Sequence, residues 1–355
     1  MIASASQLAE LLPQIENVDR VAIDTEADSL HCYREKLCLL QLSLPGQDYI
    51  VDPLANVDLT SLSAALEQKE LVLHGADFDL RLLRRGLNFA ARRIFDTVIA
   101  ARLLGLREFS LAALVNRYFG VELGKGSQKA NWARRPLPAR MIEYAINDTH
   151  YLLALADRLE SELRERDRLD WLRQSCQRAI EQAAVERVRD EDELWRIRGS
   201  ASLHGREAAL LRALWQWREK EAEAADRPAF HILQNHELLN AARSFGSGNV
   251  PDYKHFSSRR RQAFRHAAHS ASELPESEWP VRPRRFGTRP SHETTRRMEE
   301  LRRRRDLAAR ELDLEPSFVA PRSALEAIAA DQTRVAHLLV PWQRELLGVL
   351  GDNQQ

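Results

Sequence analysis

Hydrophobic and polar positions along this chain follow two different periods. Over the first 75 residues short apolar runs dominate, namely Arg20-Val-Ala-Ile-Asp24, Leu37-Cys-Leu-Leu-Gln-Leu-Ser43, Tyr49-Ile-Val-Asp52 and Leu71-Val-Leu-His74. Runs of this length bounded by turn residues such as Pro45-Gly46 read as strands, and the first three, closely connected, read as an antiparallel meander. A helical stretch is expected over 59–68 and another through Asp79 and the leucines that follow it. Ile94-Phe95-Asp96 can supply one more short strand, after which helical spacing covers 97–105, 110–119 and 138–166, the last opened by Pro138. Strands that alternate with helices predict a mixed sheet flanked by helices.

Beyond about residue 170 the strand period disappears. Segments 171–189, 203–225, 236–242, 259–270, 291–312, 322–330 and 334–350 all place apolar residues at helical spacing. Two breaks divide this half, a charged stretch at 187–200 and a linker-like stretch at 274–291 holding Pro275, Pro280, Pro283 and Pro290. The expected organisation is a mixed α/β domain over 1–200 and two small all-α domains over 201–283 and 284–355. The helical pieces are similar in size but share no obvious repeat.

Composition narrows the class. With 355 residues, 44% of them hydrophobic and 29% charged, a disordered or collagen-like chain is excluded and two or three domains are expected. No apolar run approaches the roughly 18 residues of a membrane span, and the N-terminus lacks the basic start and apolar core of a signal peptide, so a soluble cytoplasmic protein is expected. Cys32, Cys38 and Cys176 are odd in number and lack metal-ligand spacing, which predicts reduced thiols and no zinc site.

Lys and Arg number 52 against 52 Asp and Glu, but the charge is unevenly placed. Residues 1–100 carry nine basic and fifteen acidic side chains, residues 101–150 eight and four, and residues 251–305 fifteen and seven. Of the basic residues 46 are Arg. A guanidinium fork suits phosphate, and a GC-rich coding sequence accounts for the excess equally well.

The candidate chemistry rests on acids. Asp24 and Glu26 end the first strand two positions apart and so share one face. Like charges on a buried strand need compensation, and a divalent cation with oxygen ligands supplies it; a solvated strand-end pair is the alternative. In His74-Gly-Ala-Asp-Phe-Asp79, Asp79 can project back toward the strand ends, while Asp77 is expected to cap the helix, as is Asp96 in Phe95-Asp96-Thr97. His74 reads as a structural group, since oxygen ligands suit hard cations. Tyr144 and Asp148 stand at i and i+4 on a helix, side by side. Any one of these patterns is common; D-x-E, then H-x4-D, then Y-x3-D, in this strand and helix context, is specific.

With these motifs the chain resembles the DEDD superfamily of 3′–5′ exonucleases, in its tyrosine-bearing branch, over nearly its whole length. Val21 to Glu26, His74 to Leu80 and Tyr144 to Asp148 are similar to the three exonuclease motifs. Leu39-Leu-Gln-Leu42, Asp52-Pro53, Phe95-Asp-Thr97 and the segment from Ser127 to Pro136 add supporting matches, and Phe230 to Leu239 resembles the most recognisable stretch of an HRDC domain. Ala27 stands where members often carry Phe, and Asn131 where they often carry Asp; neither change removes a ligand.

The resemblance implies a ribonuclease-H-like α/β exonuclease domain followed by two HRDC-type helical domains. It implies that Asp24, Glu26, Asp79 and Asp148 ligate two Mg²⁺ or Mn²⁺ ions, roughly 3.5–4 Å apart in such sites, with Asp24 bridging them. Tyr144 would orient the attacking water, because a phenol of ordinary pKa is a poor base at neutral pH. The implied reaction releases nucleoside 5′-monophosphates from an RNA 3′ end, with transfer RNA precursors as the substrate; no membrane and no protein partner are implied.

Phosphate contacts are expected from Lys125, Lys129, Arg134 and Arg135, which flank the loop before Tyr144. Trp132 fits either a base-stacking role or a loop anchor. Lys254, His255, Arg259, Arg260 and Arg261 could extend the RNA path, whereas 302–305 reads as a solvated helix face. The helical modules are expected to set affinity, so that truncation after about residue 200 weakens binding of long RNA more than turnover of a short oligonucleotide. A DNA exonuclease and a catalytically silent RNA-binding scaffold are the competing readings; the presence of all four acids and the tyrosine opposes the scaffold.

Overall fold

The structure is a computed structural model that describes every residue except 125, 186–189, 191–192, 282–289 and 350–355. Its chain forms two compact units. One comprises Met1–Ala27, Lys36–Val185 and Gly287–Gln355, the other Asp28–Glu35 and Glu186–Phe286.

The first unit is built on a five-stranded mixed sheet, β1 (Arg20–Ala27), β2 (Leu37–Leu44), β3 (Gln47–Val51), β4 (Glu70–Leu73) and β5 (Arg93–Asp96), in the order β3-β2-β1-β4-β5. The expected meander is present: β1 with β2 and β2 with β3 are antiparallel, while β4 and β5 join in parallel. Parallel pairing and central placement bury a strand on both faces, which is why Val21, Ala22 and Ile23 are wholly inaccessible and all eight residues of β2 are buried.

Helices cover this sheet: α1 (Ala5–Glu16), α2 (Thr60–Glu67), α3 (Asp77–Leu87), α4 (Thr97–Leu103), α5 (Leu111–Phe119), α6 (Ala139–His150), α7 (Leu152–Glu165) and α8 (Leu169–Ala184). Helix α1, capped by the Ser4 hydroxyl on Gln7 N and burying Leu8, Leu11 and Ile15, has no counterpart among the sequence expectations. The stretch expected as one helix over 138–166 is two, divided at Tyr151.

The second unit holds α9 (Gly205–Ala224), α10 (Ala229–Ile232), α11 (Asn235–Gly246) and α12 (Ser258–Ser272) around its own core of Leu211, Leu214, Trp217, Phe256 and Phe264. After it the chain adds α13 (His292–Glu311), α14 (Pro316–Val319), α15 (Arg322–Ala330), α16 (Val335–Leu338) and α17 (Pro341–Leu347) to the first unit. Helix 334–350 is expected to be continuous but breaks before Pro341, because proline disfavours helical geometry in the residue ahead of it.

In space the chain divides at other points than 200 and 283. Ala309, Leu314, Val319 and Trp342 belong to the same hydrophobic core as the sheet, and Trp342 stacks on Trp171 with ring centroids 4.9 Å apart. No helix among the described residues is long and apolar enough to cross a membrane, and all three cysteines are free and buried.

Candidate active site

Strand β1 delivers the first two acids. Alternation along it leaves Asp24 and Glu26 half-buried on one face while Thr25 between them is buried. Across the ladder Asp24 lies opposite Gln41 and Glu26 opposite Leu39, and the Gln41 amide reaches Asp24 Oδ2 at 3.4 Å. Helix α6 delivers Asp148, whose carboxylate gathers with those of Asp24 and Glu26 so that one ligand atom from each lies within 4.8 Å of the others. Asp79, in the first turn of α3, lies beside this cluster; its Oδ1 accepts the Thr25 N–H at 3.1 Å and the Thr25 hydroxyl at 2.5 Å.

Four acids this close cannot all ionise at ordinary pH without a cation. Burial, then the charges of Asp79, Asp148 and Glu26, raises Asp24 well above the usual carboxylate range. Burial, then the charges of Asp148 and Asp79, pushes Glu26 up to about 9. Asp148 rises to about 7, with burial outweighing the opposing effect of the Tyr144 hydroxyl, and Asp79 to about 6, with burial outweighing the hydrogen bonds from Thr25. Oxygen-only donors, like charges and partial burial fit hard divalent ions such as Mg²⁺ or Mn²⁺. The Tyr144 hydroxyl lies near Asp148 and Gln128, close enough for each to act on its titration. Burial, then the charges of Asp148, Glu26 and Asp24, pushes it further above the ordinary phenol value, so it stays protonated and acts as a donor.

The neighbouring groups hold this geometry. Asp96 caps α4 through Val98 N (2.8 Å) and Ile99 N (3.3 Å), as expected, and also accepts from Gly75 N (3.1 Å) and Ala76 N (2.8 Å), fixing the turn that leads into α3. Asp77 departs from expectation: Ala76 occupies the cap position, and Asp77, already inside the helix, pairs with Arg81 at 2.9 Å. His74 is bound to Thr97 Oγ1 at 2.8 Å, and burial lowers its pKa.

The expected substrate contacts divide. Lys125 lies outside the described residues. Lys129 and Arg134 are exposed. Trp132 is fully buried among Cys38, Leu39, Ile50, Leu137, Met141 and Ala145, its ring centroid 6.2 Å from that of Tyr144, and so is an anchor that no base can reach. Arg135 is likewise no phosphate ligand, because its guanidinium is already engaged inside the protein with Asp52 and backbone carbonyls. Burial alone would raise Asp52, but the hydrogen bonds from Arg135 and Leu54 N bring it below its ordinary value. Sequence reasoning missed Thr25, Gln41 and Gln128 as partners of the acids and the tyrosine. For the first two, position within or across from the acidic strand was the available signal; for Gln128 there was none.

Residues 1–164 match the family described as 3′–5′ exonuclease, and residues 207–245 the HRDC domain. Among relatives, exosome complex component 10 of Rattus norvegicus is 35% identical over 253 residues, covering 68% of this chain and 28% of that protein. Ribonuclease D of Sphingobium indicum is 33% identical over 247 residues, covering 68% and 63%. The chain thus spans less than two thirds of either relative's own length. RNase D of Escherichia coli shares the fold with a TM-score of 0.71 at 22% identity, covering 99% of each chain. By these matches the chain carries a 3′–5′ exonuclease domain of the DEDD type and an HRDC domain, and bacterial ribonuclease D is among its homologues.

Proposed function

We propose that this protein is a divalent-metal-dependent 3′–5′ exoribonuclease of the ribonuclease D type, acting in the cytoplasm on RNAs with single-stranded 3′ tails, transfer RNA precursors among them. The observation that carries the reading is the convergence of Asp24, Glu26 and Asp148 within 4.8 Å, beside Asp79 and Tyr144, in a chain that carries a 3′–5′ exonuclease domain. Escherichia coli RNase D is itself an exoribonuclease involved in structured RNA processing.

Asp24, Glu26 and Asp148, with Asp79 beside them, would hold two ions. Bound there, Mg²⁺ or Mn²⁺ would neutralise the acids and supply the Lewis acidity that phosphodiester hydrolysis requires. Thr25 keeps Asp79 aimed at the cluster. Tyr144, protonated and braced by Gln128, orients an attacking water by hydrogen bonding and does not remove its proton.

RNA held at the acids must be bound by cations elsewhere. Lys129 and Arg134 remain candidates in the loop before α6. In the second unit Arg260 pairs with Glu221 at 3.0 Å, Arg261 with Asp252 at 2.8 Å and His269 with Glu273 at 3.4 Å, so a path along α12 would use Arg259, Arg265 and His266, which line one groove.

The test is incubation with 3′-extended transfer RNA and with matched single-stranded DNA, in Mg²⁺, Mn²⁺ or chelator, with product identification. Nucleoside 5′-monophosphates from RNA, abolished by chelator, are expected. Faster release from DNA would support the DNA exonuclease instead, and RNA binding without products the scaffold.

A further inference from the structure

Arg135 has all five of its N–H donors engaged inside the protein. Nε and Nη2 form a two-pronged pair with Asp52, at 2.6 Å to Oδ2 and 2.7 Å to Oδ1. Nη2 also donates to the Cys38 carbonyl at 2.8 Å, and Nη1 to the carbonyls of Trp132 at 2.6 Å and Arg134 at 3.1 Å. The acceptors fall into two groups. Asp52 and Cys38 belong to the sheet side, Cys38 on the strand whose next residues, Leu39 and Gln41, lie opposite Glu26 and Asp24. Trp132 and Arg134 belong to the loop between α5 and α6.

That loop supports the tyrosine from two directions. The buried Trp132 ring packs against Tyr144, and the Gln128 side chain lies near the Tyr144 hydroxyl and acts on it. The intervening backbone is short and tied by turns, with Ala130 N bonded to Ser127 O at 2.9 Å, Arg134 N to Asn131 O at 3.2 Å, and Ser127 itself buried.

We propose that Arg135 is a positioning residue for this site: by fastening residues 127–136 to the sheet behind the acids, it fixes Trp132 and Gln128 against Tyr144 and sets the direction of the Tyr144 hydroxyl. The proposal rests on the reading of the site as a nuclease centre. A lysine cannot replace the fork, since one ammonium cannot bridge a carboxylate and three carbonyls in a plane.

The experiment measures kcat and KM on a short single-stranded oligoribonucleotide in Mg²⁺ for Arg135→Lys, Asp52→Asn and Gln128→Ala, alone and each combined with Tyr144→Phe. Asp24→Asn serves as the control for the nuclease reading itself. Arg135→Lys is expected to lower kcat about 10–100-fold, the usual cost of losing a group that orients a functional residue, with KM within about threefold. On the Tyr144→Phe background the same change should cost less than about threefold, because the group it positions is gone.

Losses that multiply independently on the two backgrounds would overturn the proposal, as would a loss confined to KM. If Arg135→Lys fails to fold by circular dichroism, Gln128→Ala decides, since Gln128 is exposed and leaves the clamp intact; a kcat equal to that of the parent sinks the route through the loop. An active Asp24→Asn defeats the nuclease reading, whereas an inactive Asp24→Asn beside a fully active Arg135→Lys defeats only the role of Arg135.

Discussion

The two helical segments that follow the sheet domain have the same amphipathic grammar, and each has a core of its own, but only the second also shares the core of the sheet. Helices α9–α12 close on a core of their own, in which Trp217 packs against Phe256 and Phe264 at 5.5 and 5.0 Å between centroids. Helices α13–α17 gather a small core of their own, with Leu301, Leu325, Ile328, Val335, Leu339 and Leu347, but they also add Ala309, Leu314, Val319 and Trp342 to the core of the sheet. Trp342 is 1% exposed, stacks on Trp171, donates its indole N–H to Ser175 at 3.0 Å, and lies in a region where Arg168 bridges the carbonyls of Leu103 and Leu312. Position in the chain therefore does not say which helices are accessory: the last segment belongs to the unit that carries the acids and shares its core. A cut after residue 200 would remove Trp342 along with the second unit, so it cannot separate RNA affinity from turnover as the sequence alone suggests.

The most severe test of this contrast is a pair of substitutions. Trp342→Ala should destabilise the first unit by about 3–5 kcal/mol, the usual cost of truncating a buried tryptophan, and take activity with it on warming. Trp217→Ala should carry a similar cost in the second unit while leaving turnover of a short oligonucleotide unchanged. Thermal unfolding followed by residual activity measures both; an unaltered melting profile for Trp342→Ala would erase the distinction.

Next in size, Asp148→Ala or Asp24→Ala should lower nucleotide release by at least about 10²–10³-fold, as losing one centre of electrostatic stabilisation does. RNA affinity, measured by filter binding, should change little, because the cations proposed to bind the backbone are other residues.

Metal and pH sharpen the same boundary from within. Glu26, Asp148 and Asp79 hold protons in the folded state that the unfolded chain releases near pH 4, so folding in chelator should lose stability as pH rises from about 4 through 6, 7 and 9. Mg²⁺ at about a hundredfold excess over its dissociation constant should restore about 2.7 kcal/mol. Melting in Mg²⁺ and in chelator should diverge with rising pH, and Asp24→Asn should narrow that divergence. Parallel curves would mean that the acids do not gather a cation.

The smallest effect belongs to the second unit. Replacing Arg259 and Arg265 with Ala should reduce the slope of log affinity against log salt by about one for each phosphate no longer neutralised, seen with long RNA and not with a short oligonucleotide. An unchanged slope would remove α12 from the RNA path.

Much of the site was legible because two periods carry it. Period two put Asp24 and Glu26 on one face of β1, and the helical i,i+4 relation put Tyr144 beside Asp148. The segment from 127 to 136 has neither period, so nothing in it told an inward tryptophan from an outward one or Arg135 from its neighbour Arg134. Asp52 and Arg135 were each noticed in the sequence, yet their pairing joins positions 83 residues apart and leaves no local trace. The helix pattern of 291–350 likewise announced buried faces without naming what they would be buried against. Asp77 was misread for a smaller reason, a helix start one residue earlier than expected.

The burial of Trp132 beside Tyr144 gives the site an optical reporter. A tryptophan shielded from water emits toward the blue, and one whose neighbour lies near the acidic cluster responds when the charge on that cluster changes. The chain has seven tryptophans, so a variant that keeps Trp132 alone would isolate this signal. Its emission would follow ion loading directly, in the absence of any RNA, and Mn²⁺, being paramagnetic, would quench it where Mg²⁺ would not.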